Sequence, residues 1–318
     1  MKKTLSILLL LSIMICAAFP ALGMAAAFSG SGRLMVYTSL PTAQLDMMIA
    51  MFNSRYPGIA VDVFSASSAD VFARAQAEAG APKGDLLLGG GLEDYQAVQA
   101  LLSPYVSPHA GVFHEDYAAQ AFTPFQLHVS AMIVNESVAR SLGVDITGWE
   151  SLGDDKLAGR LAYMDPAASS PDAQQAAFVR GFARSVNAPA PSAPSFVLNA
   201  VTAGQYAVGI ISEEKAIERK LSGADLSIVY AQEGVAMGAS YAGIIEDARN
   251  QDNAQLFLDF ITSKEYQQAA ADRLHQRSVR KDVNFALAGI APTAQLRRVS
   301  LESLGLKAIA AETATVVR

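Results

Sequence analysis

From Arg33 onward, apolar runs alternate with amphipathic stretches. "RLMVYTS" has the continuous hydrophobicity of a buried strand, and Leu45, Met48, Ile49, Phe52 and Tyr56 then recur at helical spacing until "PGI" stops the helix. "IAVDVF" predicts a second strand. "SASSAD" turns into a helix over Ala69 to Ala79, with Val71, Phe72 and Ala75 on one face and Ser68 as N-cap. "DLLLGGG" is a third apolar strand closing in glycines, followed by the helical "LEDYQAVQALL". This alternation predicts an α/β fold with a parallel-rich sheet covered on both faces. In such sheets ligands bind beyond the carboxyl ends of the strands, where the following helices point their N-termini. Ser39, Thr42, Ser65, Ser67, Ser68 and the triplet Gly89 to Gly91 should therefore meet on one rim.

The pattern restarts at "SAMIVNESVARSLGV". "GWESLGDDKLAGRLAYMDPAASSPDAQQAAF" predicts a helix, a strand, a turn of small residues and another helix, and "FVLNAVTAGQYAVGIISEE" follows the "APAPSAPS" loop. These belong to a second sheet, with its rim at Ser169, Ser170, Ser195 and Ser212 to Lys215. A helical stretch from Asp252 to Leu274 and "RSVRKDV" lead to the C-terminus. No fixed-period repeat interrupts the pattern.

Ahead of this pattern stands "MKKTLSILLLLSIMICAAFPALGMAAAFSG", two lysines, an apolar run of about 15 residues and then small residues, the layout of a secretory signal peptide over residues 1–27. The run is short of the ~20 residues that a membrane span needs. The single cysteine, Cys16, lies inside it and follows Ile15 rather than the small residue a lipoprotein signal wants. The exported chain would then hold no thiol, which excludes disulfides, cysteine catalysis and thiolate metal sites. The 318 residues, 51% hydrophobic, suffice for about two domains with real cores. A net charge of −6 without a basic run gives no footprint for nucleic acid or a membrane surface.

Many serines invite a hydrolase reading, yet the local motifs fail. "GASYAG" puts Ala242 where the second glycine of G-x-S-x-G belongs, "GGGLED" puts Asp94 in place of the last glycine of a dinucleotide fingerprint, and "HEDYA" lacks a second histidine. The four histidines are His109, His114, His128 and His275, and only His128, in "FQLHVSAMIVN", approaches the second sheet in a way that suggests a ligand-facing role. Serine and threonine favour caps and turns anyway. Hydroxyls at successive strand ends can also hold an anion together with helix-start N–H groups, so Thr38, Ser39 and Thr42 read as ligand grips rather than nucleophiles.

"VYTSLPTAQLDMMIAMFNSRYPGIAVDVFSASSADVFARAQAEAGAPKGDLLLGGGLEDYQAVQALLSPY" resembles the N-terminal lobe of the periplasmic solute-binding proteins of ABC importers, in the subgroup carrying ferric ion, phosphonates and sugar phosphates. "WESLGDDKLAGRLAYMDPAASS", "VTAGQYAVGIISEEKAIERKLSGADLSIVYAQEGV" and "NAQLFLDFITSKEYQQAAA" are similar to later segments in the same order. The resemblance implies the two-lobed, type II periplasmic-binding fold. Lobe one would be residues 33–132, lobe two 133–237, and 238–318 a return to lobe one with the C-terminal helices. Hinges would fall near Ile133 to Asn135 and Ala236 to Ile244. It also implies a periplasmic, monomeric, non-enzymatic receptor that needs no cofactor and hands its ligand to an ABC permease in the inner membrane.

Two ligand classes stay open. Ferric members carry adjacent tyrosines just after the segment resembling "GQYAVGI", and this chain has "ISEEK" there, so an iron site would have to use Glu213 or Glu214 with His128. Alternatively "SEEK" is a helix start capped by Ser212 with an acidic first turn. Members that take phosphorylated or phosphonate compounds use hydroxyls and helix starts from both lobes, which Ser39, Ser67, Ser68, Ser169, Ser170 and Ser195 could supply beside Gly90 and Gly91. Tyr241 could close over the ligand. A small anionic organic ligand is the favoured expectation, with ferric ion second. A sensory protein of the same fold, or a hydrolase holding a His within reach of a cleft Ser, is the competing class.

Overall fold

The computed structural model describes residues 32–117, 121–165, 173–300 and 302–305. The expected signal peptide, with Cys16, and the site residues Ser169 and Ser170 lie outside the described residues. In chain order the first half is β1 (Gly32–Thr38), α1 (Thr42–Arg55), β2 (Ile59–Ser65), α2 (Ser68–Ala77), β3 (Leu86–Leu88), α3 (Leu92–Ala97), β4 (Thr123–Val134) and α4 (Glu136–Leu142). Then come β5 (Leu161–Tyr163), α5 (Ala173–Ser185), α6 (Pro194–Thr202), β6 (Val208–Ser212), α7 (Glu213–Leu221), β7 (Ser227–Val229), β8 (Ala236–Ile244), α8 (Gln251–Thr262) and α9 (Lys264–Leu274).

The strands run in the order β2-β1-β3-β8-β4-β6-β5, with β7 beside β4. β1 pairs in parallel with β2 and β3, and β5 with β6, whereas β4 and β8 are antiparallel to their neighbours. These two long strands join the lobes. β4 pairs with β8 from Thr123 to Ser130 and with β6 from Ser130 to Val134, while β8 reaches β3 at Ala242 to Ile244. Every residue of both strands is buried, the polar Gln126, His128, Ser130 and Ser240 among them. Ile133 pairs with Gly209 and Ile228, inside the second lobe.

Strand alternation places β1 side chains on two cores. Leu34 and Val36 pack with Leu45, Met48 and Phe52 of α1 and with Phe257 and Ile261 of α8, whereas Tyr37 joins Val71 and Phe72 of α2 and Tyr95 of α3. The second lobe has its own pair of cores, one around Trp149, Phe178 and Phe182, the other around Val197, Ile211 and Ile217.

Three local expectations need correction. Ser67, not Ser68, caps α2, because its side chain accepts from Asp70 N. The stretch read as one helix from Asp252 is two, broken at Ser263, whose side chain caps α9 by accepting from Tyr266 N. "WESLGDDK" forms two short 3-10 turns, Glu150–Gly153 and Asp155–Leu157, instead of a helix. Past α9 the chain bridges Leu127 through Arg277, then leaves Phe285 and Ile290 in a second-lobe core and Arg298 bridged to Val235. Among the described residues no helix is long and apolar enough to cross a membrane.

Candidate ligand-binding cleft

A cleft of about 460 Å³ opens between the lobes, at the carboxyl ends of β1, β2 and β3. Its size suits a small molecule. On the lobe-one wall, Ser39 and Gly90 stand at the strand ends beside Ser67 and Ser68 at the start of α2. Gly90 has φ +87°, and a Cβ there would meet the Phe72 ring at 2.5 Å, so only glycine lets this turn approach α2. The Ser67 hydroxyl donates to the Asp70 carboxylate at 2.6 Å and accepts from Asp70 N at 3.2 Å. Ser68 donates to Asp94 at 3.2 Å, and the same Asp94 oxygen takes the Gly91 N–H at 3.0 Å.

The floor comes from the crossing strands and α1. Gln126 and His128 stand two residues apart on β4 and face the same side, and Ser240 is the register partner of Gln126 on β8. Gln44 Nε2 donates to Gln126 Oε1 at 2.8 Å, a bond that engages the Gln126 oxygen and not its NH2. His128 Nε2 and Ser240 Oγ are 2.7 Å apart. Burial lowers the His128 pKa to about 4, so the ring is neutral at physiological pH.

The lobe-two wall is charged. Ser212, Glu214, Lys215 and Glu218 line it at the start of α7. Lys215 Nζ is held by Glu218 at 2.8 Å. Burial, reinforced by the neighbouring Glu213, pushes the Glu214 carboxyl up to about 8 against the opposing pull of its own helix-start amide, Arg277 and Lys215.

The other expected site residues lie apart from this lining. Thr38 is fully buried and its Oγ1 accepts from Leu40 N at 3.0 Å, which shapes the turn after β1. Thr42 and Ser195 are exposed outside the cleft, although Pro194 reaches it. Gly91 is the N-cap of α3. Tyr241 packs edge-on against Phe122, and its backbone carbonyl accepts from Tyr95 OH. Glu213 is buried behind the cleft, where Arg277 reaches its two carboxylate oxygens at 2.6 and 2.7 Å and Tyr230 OH donates to it. The trio Glu213, Glu214 and His128 is therefore not brought together, and among the described residues no three His, Cys, Asp or Glu side chains are grouped to hold a metal. Sequence reasoning missed Gln44, Gln126, Ser240 and Glu218. The polar alternation of Gln126 and His128 inside the apolar run "FQLHVSAMIV" was the available signal.

Residues 34–273 match the family model described as bacterial extracellular solute-binding protein. The chain belongs to that family. An uncharacterized protein of Haemophilus influenzae is 27% identical to this solute-binding protein over 289 residues, covering 82% of each chain. Among solved structures, the periplasmic binding protein AfuA of Actinobacillus pleuropneumoniae, with exogenous fructose-6-phosphate bound, is 24% identical with a TM-score of 0.66 over 85% of this chain and 92% of that one. Iron-bound HitA of Pseudomonas aeruginosa is 16% identical with a TM-score of 0.69, covering 86% and 94%. These likenesses show the fold, that of the two-lobed periplasmic binding proteins.

Proposed function

We propose that this protein is the periplasmic receptor of an ABC import system, a monomer that captures a small anionic ligand of phosphonate or organophosphate kind and presents it to an inner-membrane permease. The uncharged floor, with Ser39 on the adjoining lobe-one wall, carries this reading. The Gln126 NH2, the neutral His128 paired with Ser240, and the hydroxyl of Ser39 beside the start of α1 can donate to oxyanion oxygens without burying a mobile positive charge. Because the ligand would touch both walls, its binding would draw the lobes together about the crossing strands, a hinge motion in which differential contacts shift the population toward the closed state.

The His128–Ser240 contact meets the first condition of a hydrolase, a histidine within reach of a cleft serine. Two features favour binding over turnover. Burial is what perturbs His128, and among the described residues no carboxylate acts on its ring as the third member that would orient a catalytic histidine. A pKa near 4 also makes it a weak general base at neutral pH.

Thermal unfolding of the protein against phosphonates, sugar phosphates, phosphate, carboxylates, polyamines and ferric citrate tests the reading, since a ligand that binds only the folded state raises the midpoint. A rise with a phosphonate or phosphate ester supports it. A rise with ferric citrate alone overturns the anion assignment in favour of iron, and turnover of an ester probe overturns the receptor itself.

A further inference from the structure

A second groove, of about 520 Å³, shares no lining residue with the cleft. It lies where the chain, having left α9, passes from the first lobe to the second. One side is a short ribbon of the first lobe, in which the bridge of Phe113 to Arg280 and the bonds from His114 N to Val279 O and from Lys281 N to Val112 O lay residues 112–114 against 279–281. Phe113 and Val279 sit in the core of Tyr37 and Phe72. The other side is the segment 283–294, whose Phe285 and Ile290 are seated in a second-lobe core. This segment is held from both flanks. Gln268 exchanges two hydrogen bonds with the Asn284 backbone, at 2.8 and 3.0 Å, and Arg277 lies over the Phe285 ring while donating to Thr293 Oγ1 and the Ala291 carbonyl. The groove is therefore built into the fold.

Its lining is apolar over most of its length and positively charged at the ribbon. Val283, Phe285, Leu287 and Ile290 supply the apolar part, Arg280 and Lys281 the charge, and no carboxylate is among the lining residues. Asp282 and the Thr262 carbonyl occupy Arg280 from outside the groove. Lys281 is half-exposed and pairs at 3.1 Å with Glu115, itself 91% exposed, a contact that water weakens and a ligand can replace. On the same ribbon, His114 Nε2 is buried with no hydrogen-bond partner among the described residues. Burial, followed by the Lys281 charge, lowers the His114 pKa, so the ring is neutral and in its Nε2–H form can donate. We infer that the groove is a second ligand site, for a monocarboxylate with an apolar alkyl or aryl body: its carboxylate takes the Lys281 ammonium and the His114 N–H, and its body lies along Phe285, Leu287 and Ile290. The head supplies the negative charge that the lining lacks and the partner that His114 Nε2 is without, while the body withdraws apolar side chains from water. The site is independent of what the cleft holds.

Calorimetric titration of the protein with octanoate, octanol, octylamine and acetate tests this, alongside the groove variants Lys281→Gln and Ala288→Glu and the cleft variant Lys215→Gln. Ala288 is an exposed lining residue, so its replacement brings a carboxylate to the groove without entering the core, and circular dichroism checks each fold. Octanoate should bind the wild type at least about tenfold more tightly than the other three probes. Its affinity should fall about fivefold or more in Lys281→Gln and about tenfold or more in Ala288→Glu, and stay within about twofold in Lys215→Gln. Absence of octanoate binding, equal binding of octanol, octylamine or acetate, or an octanoate affinity untouched by either groove variant overturns the site and leaves the reading of the cleft as it stands. A loss in Lys215→Gln as large as in the groove variants places octanoate in the cleft and overturns the site as well.

Discussion

Nε2 of His128 lies 2.7 Å from Oγ of Ser240, a contact between β4 and β8 across the strands that join the lobes. The histidine is buried and stays neutral down to about pH 4, whereas an unfolded histidine titrates near its ordinary 6.5. Between those values the unfolded chain binds a proton that the fold does not, so stability falls as acid is added from pH 6.5 and the loss levels off below about 4. At full extent this single group is worth about 3 kcal/mol, as an order of magnitude. His128→Gln should flatten that acid limb, measured as urea midpoints across the window. An unchanged slope would show that other groups set the acid sensitivity.

Arg277 and Glu213 form the buried ion pair behind the cleft, each side chain 1% exposed. Tyr230, Thr293 and the Ala291 carbonyl complete their hydrogen bonding, and the Arg277 guanidinium also lies over the Phe285 ring at 4.6 Å. Arg277→Met strands a desolvated carboxylate and should cost about 3–5 kcal/mol. Adding Glu213→Gln to Arg277→Met should recover part of the loss, since the stranded charge is then gone. Chemical denaturation of both single variants and the pair gives the coupling, and additive effects would deny the pair its role.

Most of the first lobe was legible because its alternation of apolar strands and amphipathic helices is local. The β1 to α3 run and its polar strand ends, Ser39, Ser67, Ser68 and Gly90, follow from residues near each other in the chain. The break at Ser263 was hidden because α8 and α9 both keep helical periodicity, and only the capping contact to Tyr266 N separates them. Of the floor, His128 was legible, but its pairing was hidden for a different reason. Ser240 meets His128 across 112 residues, and that meeting depends on the β4–β8 register, which no local pattern displays. Likewise "SEEK" cannot say which glutamate lines the cleft. Successive helical positions point about 100° apart, and the partner that claims Glu213 stands 64 residues away.

Gly90→Ala should damage the cleft more than the fold's other positive-φ glycines would suggest. Its φ of +87° penalises any side chain by about 1–2 kcal/mol, and the new Cβ would also meet the Phe72 ring at 2.5 Å and the Asp94 carboxylate at 3.2 Å. Asp94 holds both Ser68 and the Gly91 amide, so shifting it moves the lobe-one wall. Gly80→Ala is the matched control, with φ +81° and nothing within 4 Å of the added carbon. Both variants should lose stability, but only Gly90→Ala should lose tenfold or more in affinity for whichever ligand raises the unfolding midpoint. Equal affinity losses would place the effect in the backbone alone.

Glu214 should make the empty protein sensitive to alkali. Its folded carboxyl titrates near 8, well above the 4.5 of an ordinary glutamate, chiefly because the cleft withholds water from the charged form and Glu213 lies alongside. Between those two values the fold binds a proton that the unfolded chain has released. The associated stability is therefore complete below pH 4.5 and drains away as the pH rises through about 8. Glu214→Gln removes the titration while keeping the shape, so it should match the wild type most closely near pH 4.5 and exceed it progressively up to pH 9. Unfolding midpoints of the two proteins at a series of pH values check this, and parallel curves across the range would mean that Glu214 is ionised in the empty cleft at neutral pH.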